Sequence, residues 1–240
     1  MGKKDIFVYK QFTIHQEHAA MKVGTDCDLL GTLSEGGNQI LDIGTGTGIL
    51  SLMLAQRYPL AQLTAIEIDD NAVLDASHNF QDSPFADRIV LKHLSFQDYL
   101  AEVKANGLSE AFDSVVCNPP YFDKSTESSD LGRTRARHTS SLPFPVLIGG
   151  AYDLLKDGGV FSVCIPPEVL DDFCFECQIR GFWLQDIFKI KSVPEKEPKR
   201  FVLVHKKGQI VTPREHVFCM RNTDRSRSEW YSQLMNDFHV

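Results

Sequence analysis

The 240-residue chain has no stretch approaching the ~18 uninterrupted apolar residues of a membrane-spanning helix, which excludes a helical integral membrane protein. Its opening Met-Gly-Lys-Lys-Asp-Ile has no apolar region behind the two lysines, so it does not read as a secretory signal. Ile6 stands where a myristoylation pattern wants Ser or Thr. A cytoplasmic location is therefore expected. Internal repeats and low-complexity tracts are missing. Cysteine is sparse, with six residues and a single C-x-x-C, Cys174–Cys177. No second such pair and no H-x₃-H completes four zinc ligands, so free thiols and no metal site are expected. His15 and His18, with no third ligand nearby in the sequence, read as surface histidines. An excess of positive charge is also lacking: the net charge of −7 speaks at face value against a nucleic-acid partner. What is present is globular, with 42% hydrophobic and 24% charged residues in a length that suits one domain.

Strand-like and helical runs alternate, the pattern of an α/β domain with a mainly parallel sheet. Strands are expected at 39–43, 62–68, 88–93, 112–118 and 160–165. Helices are expected at 49–58, from Asp69 or Asp70 to Phe80, and at 143–156 with Gly158-Gly159 as the stop. Pro166-Pro167 opens another helix that ends near Gly181. Then 183–191 and 201–207 follow as two strands with no helix between them, which forces an antiparallel hairpin. Residues 230–238 have helical spacing. The fold expected is doubly wound and Rossmann-like. Residues 1–35 would form an N-terminal segment packed on the ligand side, and 36–240 the main body of a single domain.

Asp42-Ile43-Gly44-Thr45-Gly46-Thr47-Gly48 lies between the first of these strands and its helix, where doubly wound folds bind nucleotides. Glu67 ends the next strand, placed to accept hydrogen bonds from ribose hydroxyls. The spacing is G-x-G-x-G rather than the G-x-G-x-x-G of nicotinamide and flavin folds, with Ile49 where the last glycine would fall. Asp42 would repel a pyrophosphate but tolerate a cationic sulfonium with an amino-acid tail. S-adenosylmethionine therefore fits better than NAD, with Asp42, Gly44, Gly46, Gly48 and Glu67 as its candidate ligands.

Asn118-Pro119-Pro120-Tyr121 follows the fourth main strand, at the carboxyl ends where ligands bind. An exocyclic amine on a base, or a side-chain amide, is a poor nucleophile because its lone pair is delocalised. The Asn118 side-chain oxygen and the Pro119 carbonyl can hold its two hydrogens and aim the lone pair at a methyl donor. The second proline stiffens the turn, and Tyr121 offers a plate for a flipped planar group. An adenine amine, a guanine amine and a glutamine amide all suit this geometry. A non-catalytic RNA-binding or cofactor-sensing module on the same fold is the competing class.

Taken together, the glycine loop, the acidic strand end and Asn-Pro-Pro-Tyr resemble class I S-adenosylmethionine-dependent methyltransferases acting on amino nitrogens. Residues 12–30, with Val23-Gly24-Thr25-Asp26, and the run 133–142 are more narrowly similar to bacterial tRNA adenine-N6 methyltransferases. The resemblance implies a seven-stranded sheet with a C-terminal antiparallel hairpin and methyl transfer to adenine 37, beside the anticodon of a valine tRNA. It also implies a cofactor contact from Thr25. Related enzymes often place Asp after the third strand to bind the cofactor's adenine amine. Here Ser95-Phe96 stands there, with Ser95 as a weaker acceptor, Asp98 as the alternative, and Phe96 beside the adenine.

Two segments carry positive charge that the net value conceals, and they restore a nucleic-acid partner. Residues 124–138 carry four basic and two acidic side chains, and 189–207 carry seven basic and two acidic. Lys124, Arg133, Arg135, Arg137 and His138 in the first, and Lys196, Lys199 and Arg200 in the second, are candidate RNA contacts on a basic rim of an acidic body. A monomer is the default expectation.

Overall fold

A computed structural model describes residues 5–107, 109–119 and 142–240. Pro120, Tyr121, Lys124, Arg133, Arg135, Arg137 and His138 lie outside the described residues. Among the described residues, no helix is long and apolar enough to cross a membrane.

The chain opens with a small antiparallel hairpin, β1 (Ile6–Val8) and β2 (Thr13–His15), and a helix α1 (Thr25–Leu33). The alternating body follows: β3 (Gln39–Ile43), α2 (Ile49–Arg57), β4 (Gln62–Glu67), α3 (Asp70–Gln81), β5 (Ile89–His93), α4 (Phe96–Ala105) and β6 (Phe112–Cys117). After the undescribed stretch come α5 (Phe144–Leu154), β7 (Leu155–Ile165), α6 (Leu170–Arg180), β8 (Phe182–Lys191), β9 (Arg200–Lys207), β10 (Arg214–Cys219) and α7 (Glu229–Leu234).

The large sheet runs β10-β8-β9-β7-β6-β3-β4-β5. Strand β9 is antiparallel to both β7 and β8, and the other pairings are parallel. The sheet thus contains the seven expected strands and one more: β10 adds an eighth at the edge, parallel to β8. Its residues are exposed or half-buried, so the hydrophobic period that marks a core strand is weak there. Helix α5 stops at Leu154, before Gly158-Gly159. Those glycines lie inside β7, where Gly158 takes φ 73° beside a register shift against β6. The hydrophobic run that continues from helix into strand hid that boundary. Gly181, with φ 106°, does end α6 as expected.

Alternation along the strands feeds two cores. Ile40, Leu63 and Ala65 pack with α2, α3 and the N-terminal hairpin, whereas Leu41, Ile43 and Ile66 pack with α4, α5 and α6. A sheet covered on both faces is what near-continuous apolar strands require. Strand β3 has β4 on one side and β6 on the other, so the winding reverses at β3 and opens a crevice at the carboxyl ends. Phe201 of β9 pairs with Ile165 at the end of β7, which brings the β8–β9 turn to the same edge.

Candidate active site

A cavity of about 250 Å³ occupies that crevice. Its floor is the glycine loop. Gly44 and Thr45 donate backbone hydrogen bonds to the Ile66 carbonyl at 2.9 Å, which closes the turn against β4. Gly46 takes φ 58°, and a Cβ there would stand in open space at the cavity floor. Gly48, with φ 84°, shares that demand and adds another: a Cβ would lie 2.4 Å from the Phe80 ring, which locks α2 onto α3.

Asp42 is 1% exposed and sits beneath this loop. Its Oδ2 accepts from Thr45 Oγ1 at 2.6 Å and from Ser51 Oγ at 2.7 Å. Its Oδ1 is buried and has no hydrogen-bond partner among the described residues. Burial raises the carboxyl to about 6, against the lowering effect of the Thr45 and Ser51 hydroxyls. Glu67 faces the loop from the end of β4. Its Oε2 accepts from Gly46 N at 2.8 Å, and its Oε1 accepts from Ile68 N and Asp69 N at 2.8 and 2.9 Å. A carboxylate offers about four acceptor positions, so three backbone bonds leave room for one more, rather than for both hydroxyls of a ribose without a change of partner.

Asn118 follows β6, and pairing of Ile43 with Cys117 sets it beside Gly44. Asn118 Nδ2 donates to Cys27 Sγ of α1 at 3.3 Å. Its Oδ1 is buried and likewise without a partner among the described residues. Pro119 is buried beside it. Burial and the neighbouring Asp28 and Asp26 push the Cys27 thiol up to about 12, so it remains a neutral thiol.

The N-terminal segment supplies the roof. Ala19 to Gly24, Asp26 and Cys27 line the cavity, while Thr25, the first residue of α1, falls between lining neighbours. Arg200 pairs through Nε with Asp26 Oδ1, so it reaches the cavity wall. Lys196 and Lys199 are exposed in the β8–β9 turn. Ser95 and Phe96 both line the cavity. Ser95 caps α4: its Oγ accepts from Asp98 N at 3.0 Å and donates to Asp98 Oδ2 at 2.6 Å. That reciprocal cap holds Asp98 in the helix start rather than in a bulged loop. The Phe96 ring lies against Gly150 in the second core, where a Cβ would come within 2.6 Å of it.

Three contributors went unread in the sequence: Thr45, Ser51 and Cys27. Thr45 and Ser51 hold Asp42, and their position three and nine residues on from it is a local signal that the loop itself carries. Cys27 touches Asn118 across 91 residues, and nothing in the sequence announces that contact.

The cavity suits a nucleoside-bearing cation. A buried carboxylate oxygen without a partner offsets positive charge, and the open space at Gly46 admits close approach of a ligand to the backbone.

Comparison with known proteins agrees with this geometry. The methyltransferase small domain model matches residues 18–142. A Shewanella baltica protein named tRNA1(Val) (adenine(37)-N6)-methyltransferase is 34% identical over 98% of both chains. A Bacteroides thetaiotaomicron protein of the same name is 45% identical over 82% of this chain and 81% of its own. Among solved structures, a predicted O-methyltransferase of Agrobacterium tumefaciens shares the fold with a TM-score of 0.69 at 22% identity, covering 88% of this chain and 96% of its own. The M. jannaschii TYW2 protein in complex with AdoMet does so with a TM-score of 0.55 at 16% identity, covering 86% and 87%. The chain belongs to the methyltransferase small domain family and, within it, to the family of tRNA1(Val) (adenine(37)-N6)-methyltransferases.

Proposed function

We propose that this protein transfers a methyl group from S-adenosylmethionine to the exocyclic N6 amine of adenine 37 in a valine tRNA, in the cytoplasm. The observation that carries the reading is Asn118 Oδ1: a buried amide oxygen without a partner among the described residues, at the strand end beside the glycine loop. When bound, S-adenosylmethionine supplies an electrophilic methyl group on a sulfonium.

Asn118 Oδ1 and the Pro119 carbonyl accept the two hydrogens of the target amine. The nitrogen thereby rehybridises, and positive charge growing on it is met by two aligned dipoles. Asn118 is held to this task because its Nδ2 is committed to Cys27 Sγ, which directs the oxygen rather than the nitrogen of the amide to the substrate. Asp42 offsets the charge of a cationic ligand from beneath the loop. Glu67, already holding Gly46, accepts one further hydrogen bond from a ribose hydroxyl. Gly46 admits close approach, and Ser95 and Phe96 border the position for the adenine of the cofactor. Gly44 and Gly48 shape the turn, and Thr25 starts the helix that closes the roof. From the sequence motif, Pro120 stiffens the turn and Tyr121 serves as a stacking plate for the extruded base. The basic residues of 124–138, with Lys196 and Lys199, meet the phosphates of the anticodon arm, while Arg200 stays paired with Asp26 at the cavity wall.

Labelled cofactor incubated with tRNA that lacks the modification, and separately with cell protein, tests the proposal. Label in N6-methyladenosine of the tRNA supports it. Label confined to protein would falsify it and favour a glutamine amide as substrate.

A further inference from the structure

Outside the cavity, one cluster among the described residues has the donor types and spacing to hold a metal ion. His15 at the end of β2, His78 in the last turn of α3 and Asp82 just beyond that helix converge, with one ligand atom of each within 4.8 Å of the others. We propose that His15, His78 and Asp82 form a site for a divalent transition-metal ion of the zinc class, which ties the N-terminal hairpin to α3.

The chemistry of the set is right for such an ion. Two imidazoles and one carboxylate suit zinc, with a fourth position for water. Ligands at about 2.1 Å from a tetrahedral zinc stand roughly 3.4 Å apart, so a small rotation of the exposed His78 and Asp82 side chains toward the half-buried His15 closes the present separation. His78 Nε2 and Asp82 Oδ2 are already 3.4 Å apart, and the His15 and His78 rings meet edge to face at 4.6 Å.

The frame beneath the site is fixed. Asn79, fully buried, donates from Nδ2 to the His15 carbonyl and accepts at Oδ1 from the His15 amide, both at 2.8 Å. That two-point clamp sets the backbone of β2 against the helix, so His15 approaches His78 with its main chain already ordered. One turn earlier, Asp75 accepts from His18 N and Ala19 N at 3.1 and 2.8 Å, which carries the same docking on to the cavity roof.

The position of Asp82 is an independent reason. It caps the C-terminal end of α3, where the helix dipole disfavours a carboxylate. A cation bound there reverses that penalty. In the sequence the histidines at 15 and 18 lack a third ligand. The fold supplies two, from a helix that begins 55 residues beyond His15.

The test uses the full chain without cofactor. Zinc added in slight excess is expected to raise the unfolding temperature by several degrees, with one ion bound per chain. Cobalt in its place is expected to give visible absorption without a thiolate-to-metal charge-transfer band. His78→Ala and, separately, Asp82→Asn should abolish the zinc shift, whereas a Cys174→Ala/Cys177→Ala variant should keep it. No zinc-dependent shift, a shift that survives His78→Ala, or a thiolate band that disappears with the two cysteines would overturn the proposal. The readouts are independent of methyl transfer, so failure here leaves the proposed activity standing, and failure of the activity leaves this site standing.

Discussion

Single atoms decide the behaviour of the cavity. Asn118→Ala removes the acceptor proposed for the amine while leaving the glycine loop intact, so turnover should fall by roughly 10²-fold or more. Cofactor affinity should change less than about threefold. Steady-state kinetics beside calorimetry separates the two, and equal losses in both would argue against the assigned role. Asp42 gives a pH signature. Its carboxyl, raised to about 6 by burial, is charged only above that value. Affinity for a cationic cofactor should therefore climb as pH rises through about 6 and then level off, and Asp42→Asn should flatten the profile. His205 has the opposite sense. It is 1% exposed, packed between Phe173 and Phe182, and burial lowers it to about 3. The unfolded chain takes up its proton near 6.5 while the folded chain does not, so stability falls as pH drops below about 6.5. Urea unfolding at a series of pH values should show that slope in the native chain and a smaller one in His205→Leu.

Elements explain why the site forms where it does. Pairing of β3 with β4 and β6 brings Glu67 and Asn118 to either side of one glycine loop, and this follows from strands that were readable by composition alone. Glycine spacing carried the cofactor type, and the Asn-Pro-Pro-Tyr run after β6 is where the proposal puts the target amine. Other elements left weaker traces. Strand β10 is too exposed to show a core period, and helix α4 starts at a Ser95–Asp98 cap that reads equally well as a ligand-binding loop. Contacts made over long sequence distances, such as Cys27 with Asn118 or His15 with His78, exist only once the sheet has assembled. The loop's two demands on glycine can be separated by mutation. Gly46→Ala places a methyl in open cavity space at positive φ, so it should cost about 1 kcal/mol of stability but at least tenfold in cofactor affinity. Gly48→Ala drives a methyl into the Phe80 ring and should instead appear mainly as a lowered Tm.

Over the whole molecule, the net charge of −7 and an RNA substrate are reconciled by distribution, though less simply than the sequence suggests. Of the seven basic residues in 189–207, three are already paired with carboxylates of the chain: Lys189 with Glu215 at 2.7 Å, Lys207 with Glu110 at 3.0 Å, and Arg200 with Asp26. Lys196 and Lys199 remain exposed in the turn on the ligand edge. Replacing both with Glu should weaken tRNA binding several-fold and lower the slope of log affinity against log salt by about two, with cofactor affinity unchanged. The central claim is the identity of the methylated atom. Mass spectrometry of purified valine tRNA from cells with and without the gene tests it most directly. The expected result is N6-methyladenosine at position 37 that disappears with the gene and is not restored by Asn118→Ala. Modification that persists without the gene, or that Asn118→Ala restores fully, would contradict the claim.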